Sequence, residues 1–207
     1  MKPISPTQLS LPQRLAPALA ALSLLAALAL AGVVSPGFSY LATPLALPGA
    51  RGEPLAWAFN ALAFVLPGLL LAWRAFAARG ALGAARWPVR IGLQLAQLSA
   101  LAFAAQGVLP LDPTDLDAAA SRGHALAWSL CWLAFVPGAL LLAGSRIGGV
   151  PAGALALLAT LCAFAAPAWL GAPLAQRVAW GLWLAWWLAA FSRGAASGPG
   201  SSRPARR

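Results

Sequence analysis

Six stretches of this chain run for about 20 residues on apolar side chains, the length a helix needs to cross a hydrocarbon layer roughly 30 Å thick. They lie near Leu15–Val34, Leu55–Phe76, Ile91–Leu109, Ala125–Ala143, Val150–Leu170 and Leu174–Phe191. The expected fold is therefore all-α, a polytopic membrane protein built as a six-helix transmembrane bundle. With 61% hydrophobic and 9% charged residues and a mean hydropathy of +0.78, a water-soluble globule with a polar exterior is excluded. The 18 Pro and 20 Gly follow neither a heptad nor a Gly-X-Y period, which excludes a coiled coil and a collagen-like rod.

The net charge of +10 does not indicate nucleic-acid binding, because the cations punctuate the ends of apolar runs instead of gathering on one face among aromatics. Lys and Arg are retained on the cytoplasmic side during insertion. With six spans and both termini inside, eleven of the 14 cations are cytoplasmic, among them Lys2, Arg14, Arg74, Arg79, Arg86, Arg90 and Arg146. The outer loops hold Arg51, Arg122 and Arg177 with every acidic residue in the chain: Glu53, Asp112, Asp115 and Asp117. Five spans would place one terminus and its cations on the wrong side. The expected location is a bacterial-type inner (plasma) membrane.

Lys2 and Arg14 ahead of an apolar run and Ala29-Leu30-Ala31 resemble a secretory signal. The run is longer than a signal core and continues through Val33 and Val34, so it is expected to be an uncleaved first helix. The chain divides into a cytoplasmic segment 1–14, a six-span domain 15–191 and a disordered basic cytoplasmic tail 192–207, whose Gly, Ser, Pro and Arg cannot bury enough surface to fold. Ala63-Phe64-Val65-Leu66-Pro67-Gly68 in the second run is echoed by Ala134-Phe135-Val136-Pro137-Gly138 in the fourth. Two readings stay open: a parallel repeat of a two-helix hairpin, or coincidence of membrane composition. Both Pro-Gly pairs permit kinks.

Polar side chains inside a bilayer are costly and tend to face protein or a water-filled cavity. Asn60, Gln106, Asp112 and His124 fall at one depth near the outer surface and form a candidate outward-facing pocket for a small molecule or lipid headgroup. The alternative is that Asn60 and Gln106 bond neighbouring helices while Asp112 and His124 end a loop and a helix. Pro110 and Pro113 restrict the backbone on both sides of Asp112. An Asp112 near His124 would orient the imidazole and support proton transfer, so a lipid-modifying enzyme using these two residues is a second reading. Ser39 or Ser121 could join them as a nucleophile, although no spacing enforces it. A small-solute transporter with kinked second and fourth helices is a third, weakened by the lack of a charge at mid-membrane.

The segment Gly107-Val108-Leu109-Pro110-Leu111-Asp112-Pro113, followed by His124 at the head of the next run, resembles the domain of unknown function 998 family of multi-pass membrane proteins. Phe38-Ser39-Tyr40-Leu41 ahead of a Gly- and Pro-containing loop and Phe59-Asn60 matches the family's order as well. The resemblance covers about Val33 to Leu142 and departs at Tyr40, where members often carry an acidic residue. It implies a six-helix membrane fold and no established activity.

No metal or cofactor is expected, since the Asp cluster has only one His beside it and zinc sites draw mainly on His and Cys. Cys131 and Cys162 lie within apolar runs and read as small buried residues rather than a disulfide. Trp180, Trp183 and Trp187 share a helix face, and Trp186 and Trp187 suit an interfacial belt. Membrane lipid is the expected partner.

Overall fold

The computed structural model describes residues 10–82, 86–145 and 147–192. Expectations for residues 1–9, Arg146 and the tail beyond Ser192 lie outside the described residues. Among those described, the chain is all-helical with no strand. The helices are α1 Leu11–Val34, α2 Ala56–Gly80, α3 Trp87–Val108, α4 Ala119–Ala143, α5 Gly149–Phe164, α6 Pro167–Leu170 and α7 Ala172–Ser192. Helices α1 to α4 are long and apolar enough to cross a membrane.

The fifth apolar run does not continue as one helix to Leu170. Pro167 has no amide to continue the helix ladder and its ring crowds the carbonyl four residues back, and α5 stops at Phe164, three residues ahead of it. The amides of Ala165 and Ala166 both return to the Leu161 carbonyl before α6 begins. Gly171, at φ 77°, then makes the turn into α7, a backbone conformation that a side chain would strain.

Short connections place sequence neighbours side by side, and the ring of contacts α1–α2–α3–α4–α5–α7 closes where α7 returns to α1. The packed faces are rich in alanine: Ala20 and Ala27 on α1, Ala63 and Ala75 on α2, Ala96 and Ala100 on α3 are all fully buried. Small residues let helix backbones approach closely. Leucines point the other way, with Leu22, Leu69, Leu101, Leu133 and Leu157 all exposed. Such a girdle of exposed apolar side chains is the surface hydrocarbon would cover.

The interior is aromatic. Trp180 and Trp183 of α7 each lie 4.7 Å from the Phe103 ring of α3, and Trp180 stacks on Trp132 of α4 at 5.1 Å. Trp186 and Trp187 are also fully buried, which corrects their expected place in an interfacial belt. The reason is tertiary: α1 and α5 flank α7, and the aromatic rings of α3 and α4 cover its inner side. Past its first residue, Ala172, the described part of α7 leaves only a strip through Val178, Gly181 and Leu188 exposed. Of the tryptophans that reach the surface, Trp57 and Trp169 sit near helix ends at one end of the bundle and Trp87 at the other, while Trp73 lies about two turns inside α2.

Loops that the charge pattern assigns to the outside meet at one end. The Arg51 amide donates to the Leu111 carbonyl at 2.9 Å, and the Leu45 amide donates to Oε1 of Gln176 at 3.3 Å. All four carboxylates belong to these loops.

The two Pro-Gly pairs behave differently. In α2 the backbone widens to a π-turn over Ala61–Val65, where the Leu66 amide donates to Ala61. In that register the Leu62 carbonyl would await the amide of residue 67, and Pro67 has none. The hydroxyl of Ser23 on α1 supplies the missing donor at 2.6 Å. Helix α4 instead runs as unbroken α-helix through Pro137. Gly68 packs against Ala100 and Ala104 of α3, and Gly138 against Gly92 and Ala96 of the same helix. In a hairpin repeat Gly138 would face α5, so the two glycines do not occupy repeat-equivalent contacts.

Candidate functional site

The sequence-predicted polar residues are drawn into holding helix ends and loops. Asn60, buried at the end of the first turns of α2, donates its amide to the Gly49 carbonyl at 2.7 Å and so ties the loop over residues 35–55 to the bundle. Gln106 is 1% exposed, and its Nε2 has no hydrogen-bond partner. His124 places Nδ1 3.1 Å from the Gln106 carbonyl and 3.0 Å from that of Leu109. Both neighbours only accept, so Nδ1 carries the proton and Nε2 is the acceptor of the neutral ring. These carbonyls belong to the C-terminal end of α3, where no intrahelical amide is available. The single histidine is therefore a side-chain cap supplied by the next helix, with its ring edge-to-face on Phe64 at 6.2 Å.

Asp112 does not reach His124 with its carboxylate. Its Oδ1 accepts from the Thr114 hydroxyl at 2.7 Å and from the Thr114 amide at 3.1 Å. An Asp whose own chain offers donors two residues on satisfies itself locally before it can reach across a loop. The Thr114 hydroxyl, then the Thr114 amide, hold the Asp112 carboxyl below the usual carboxylate range. The structure thus joins Gln106 to His124 and leaves Asp112 apart, which separates the pair that a lipid-modifying enzyme would need. Ser121 is occupied too. Its Oγ lies 2.9 Å from the Asp115 carbonyl and accepts the Asp112 amide at 3.0 Å, pinning the 109–118 loop to the first turn of α4.

Removing the imidazole with His124→Ala leaves two carbonyls without a donor. We expect a loss of about 1–3 kcal/mol, read as a lower unfolding temperature in detergent, with His124→Gln recovering part of it. An unchanged unfolding temperature would show that the end of α3 needs no cap.

A cavity of about 300 Å³ opens at the same end, between α4, α5 and α7. Its walls are Trp128 and Trp132 of α4, Ala163 of α5, and Gln176 and Trp180 of α7, with Pro44 of the 35–55 loop and Pro167 at the rim. None of Asn60, Gln106, Asp112 or His124 lines it. Sequence reasoning missed Gln176 because it stands beside Arg177 at the head of the last run and reads as a loop residue. Its Oε1 accepts the Leu45 amide, so the amide nitrogen is the donor left for a ligand. The Trp128 and Trp132 rings meet at 6.4 Å with planes 59° apart, giving the cavity a wide aromatic wall.

Cys131 and Cys162 are both buried and free. The Cys131 thiol instead meets Ser99 Oγ at 3.3 Å, and that hydroxyl also accepts from the Trp183 indole at 3.4 Å.

The geometry defines an all-helical protein with at least four helices able to cross a bilayer and a ligand-sized cavity at the end where its acidic loops gather. No family model, no curated protein and no solved structure matches the chain.

Proposed function

We propose that this is an integral membrane protein of six spans, with both termini in the cytoplasm of a bacterial-type cell, that binds a small amphiphilic molecule or lipid headgroup at its outer end. Support for six spans comes from parity: α5 and α7 complete the ring begun by α1 to α4, and only an even number puts the arginine-rich connections opposite the carboxylates. The observation that carries the binding function is the cavity walled by Trp128, Trp132 and Trp180, with Gln176 as its polar group. A mostly apolar pocket with one or two fixed polar groups is the usual form of a small-molecule site. Asn60 and His124 serve this function from outside the pocket: Asn60 ties the 35–55 loop, whose Pro44 lines the rim, to α2, and His124 holds the head of α4, which carries Trp128, against the Gln106 and Leu109 carbonyls at the end of α3. Asp112 sets the loop that follows α3.

Native mass spectrometry of the full chain, purified in mild detergent, tests the binding. A co-purifying mass should be present in the wild type and lost in Ala163→Leu, which fills the cavity, and in Gln176→Leu, which removes the donor. Retention of the same mass by both variants would overturn the assignment. Membrane placement is tested separately by Asp117→Cys, an exposed loop position. A membrane-impermeant maleimide should label it on intact cells; labelling only after lysis would reverse the orientation.

A further inference from the structure

A second cavity, of about 330 Å³, lies on the opposite side of Trp180, along the seam where α7 meets α1. Its walls are leucines, Leu24 and Leu28 from α1 with Leu184 and Leu188 from α7. The seam is open because Gly181 contributes no side chain, and a Cβ built there would meet nothing within 4 Å. From Arg177 to Leu188 the groove follows eleven residues of helix, about 16 Å at 1.5 Å per residue.

Its outer end carries a guanidinium, which an apolar groove alone does not require. Arg177 lines the cavity. Its Nη1 and Nη2 reach the Pro173 and Ser39 carbonyls only at 3.4 Å, beyond the usual range for N–H donors. The Nε is buried without a partner. The Arg177 Cζ lies 5.9 Å from the centre of the Phe38 ring, which supports a cation without neutralising it. Arginine presents a planar fork of donors that matches a phosphate in a bidentate manner. It stands five residues inside the Ala172 end of α7, about 8 Å along the axis, which the membrane placement proposed above puts where lipid headgroups give way to chains.

We propose that the α1–α7 seam is a binding site for one phospholipid of the outer leaflet, its phosphodiester on Arg177 and an acyl chain laid over Gly181 between the leucines. The occupant is specified by charge complementarity at one end and an uninterrupted apolar channel beyond it. The site rests on the membrane placement proposed above, and it is independent of the cavity between α4, α5 and α7.

The test measures binding of dioleoyl phosphatidylglycerol, and of dioleoylglycerol lacking the phosphate, to the delipidated full chain by native mass spectrometry. The wild type should bind the phospholipid at least tenfold more tightly than the diacylglycerol. Arg177→Gln should erase that preference. Gly181→Leu should weaken both lipids at least tenfold, and because position 181 faces open space this variant keeps its fold. Ala163→Leu, in the other cavity, should leave phospholipid binding unchanged. Wild-type phospholipid affinity in Gly181→Leu would overturn the proposal even if Arg177→Gln failed to fold. Equal affinity of the wild type for the two lipids would remove Arg177 from it. Failure of the Asp117→Cys labelling would instead count against the membrane orientation, which these binding ratios do not measure.

Discussion

Exchanging Gly68 for alanine is expected to destabilise the protein by about 1–3 kcal/mol, against a helix-propensity gain of nearly 1 kcal/mol that the same change would bring on an open helix face. The sign decides between the two effects. A Cβ at position 68 would stand 2.7 Å from the Ala100 carbonyl oxygen and 2.7 Å from the nitrogen and Cβ of Ala104. These are atoms of the α3 backbone or fixed to it, so no rotamer change can make room. Helices α2 and α3 would have to separate, and the Phe64 and Phe103 rings, 5.3 Å apart at their contact, would lose packing with them. Gly181→Ala, where nothing obstructs the new methyl, should stabilise by about 0.5–1 kcal/mol. Unfolding of both variants in denaturing detergent is the measurement. A stabilised Gly68→Ala would mean that α2 and α3 do not approach as closely as described.

Ser23→Ala is expected to cost about 1–3 kcal/mol although it removes one oxygen from a small side chain. The Leu62 carbonyl that Ser23 serves lies in the π-turn of α2, facing a proline in place of its donor. Neither water nor a backbone amide replaces the hydroxyl in hydrocarbon. The origin of the cost can be isolated with Pro67→Ala, which restores an amide at position 67. In that background Ser23→Ala should cost less than half as much, giving a coupling of about 1 kcal/mol in a double-mutant cycle. Strict additivity would mean that Ser23 acts through packing alone.

How much of this was legible beforehand differs from residue to residue. The apolar runs placed both ends of α1 to α3 within four residues and the end of α4, whose start at Ala119 lies six residues ahead of the expected Ala125, because about twenty apolar side chains report a crossing helix almost independently of context. The fifth run was read too long, since Leu161 through Leu170 is uniformly apolar and the break is made by the backbone ahead of Pro167. Asn60, Gln106 and His124 were recognisable as polar groups at one depth. Which atoms they would meet was not. His124 caps α3 because the loop of residues 109–118, pinned by Ser121, brings the start of α4 back beside the end of α3. The tryptophans of α7 carried a face in their spacing, but burial on that face depends on four neighbouring helices.

Composition and charge order alone determined that the chain is helical, apolar on its exterior, and divided between an arginine-rich side and a carboxylate-bearing side, because the cost of burying charge and unpaired backbone is a property of each segment by itself. Tertiary structure decided where space is left. The cavity beside Trp128 and the seam at Gly181 exist because α7 closes the ring between α1 and α5, and a void is a property of surfaces that meet, which no single segment encodes.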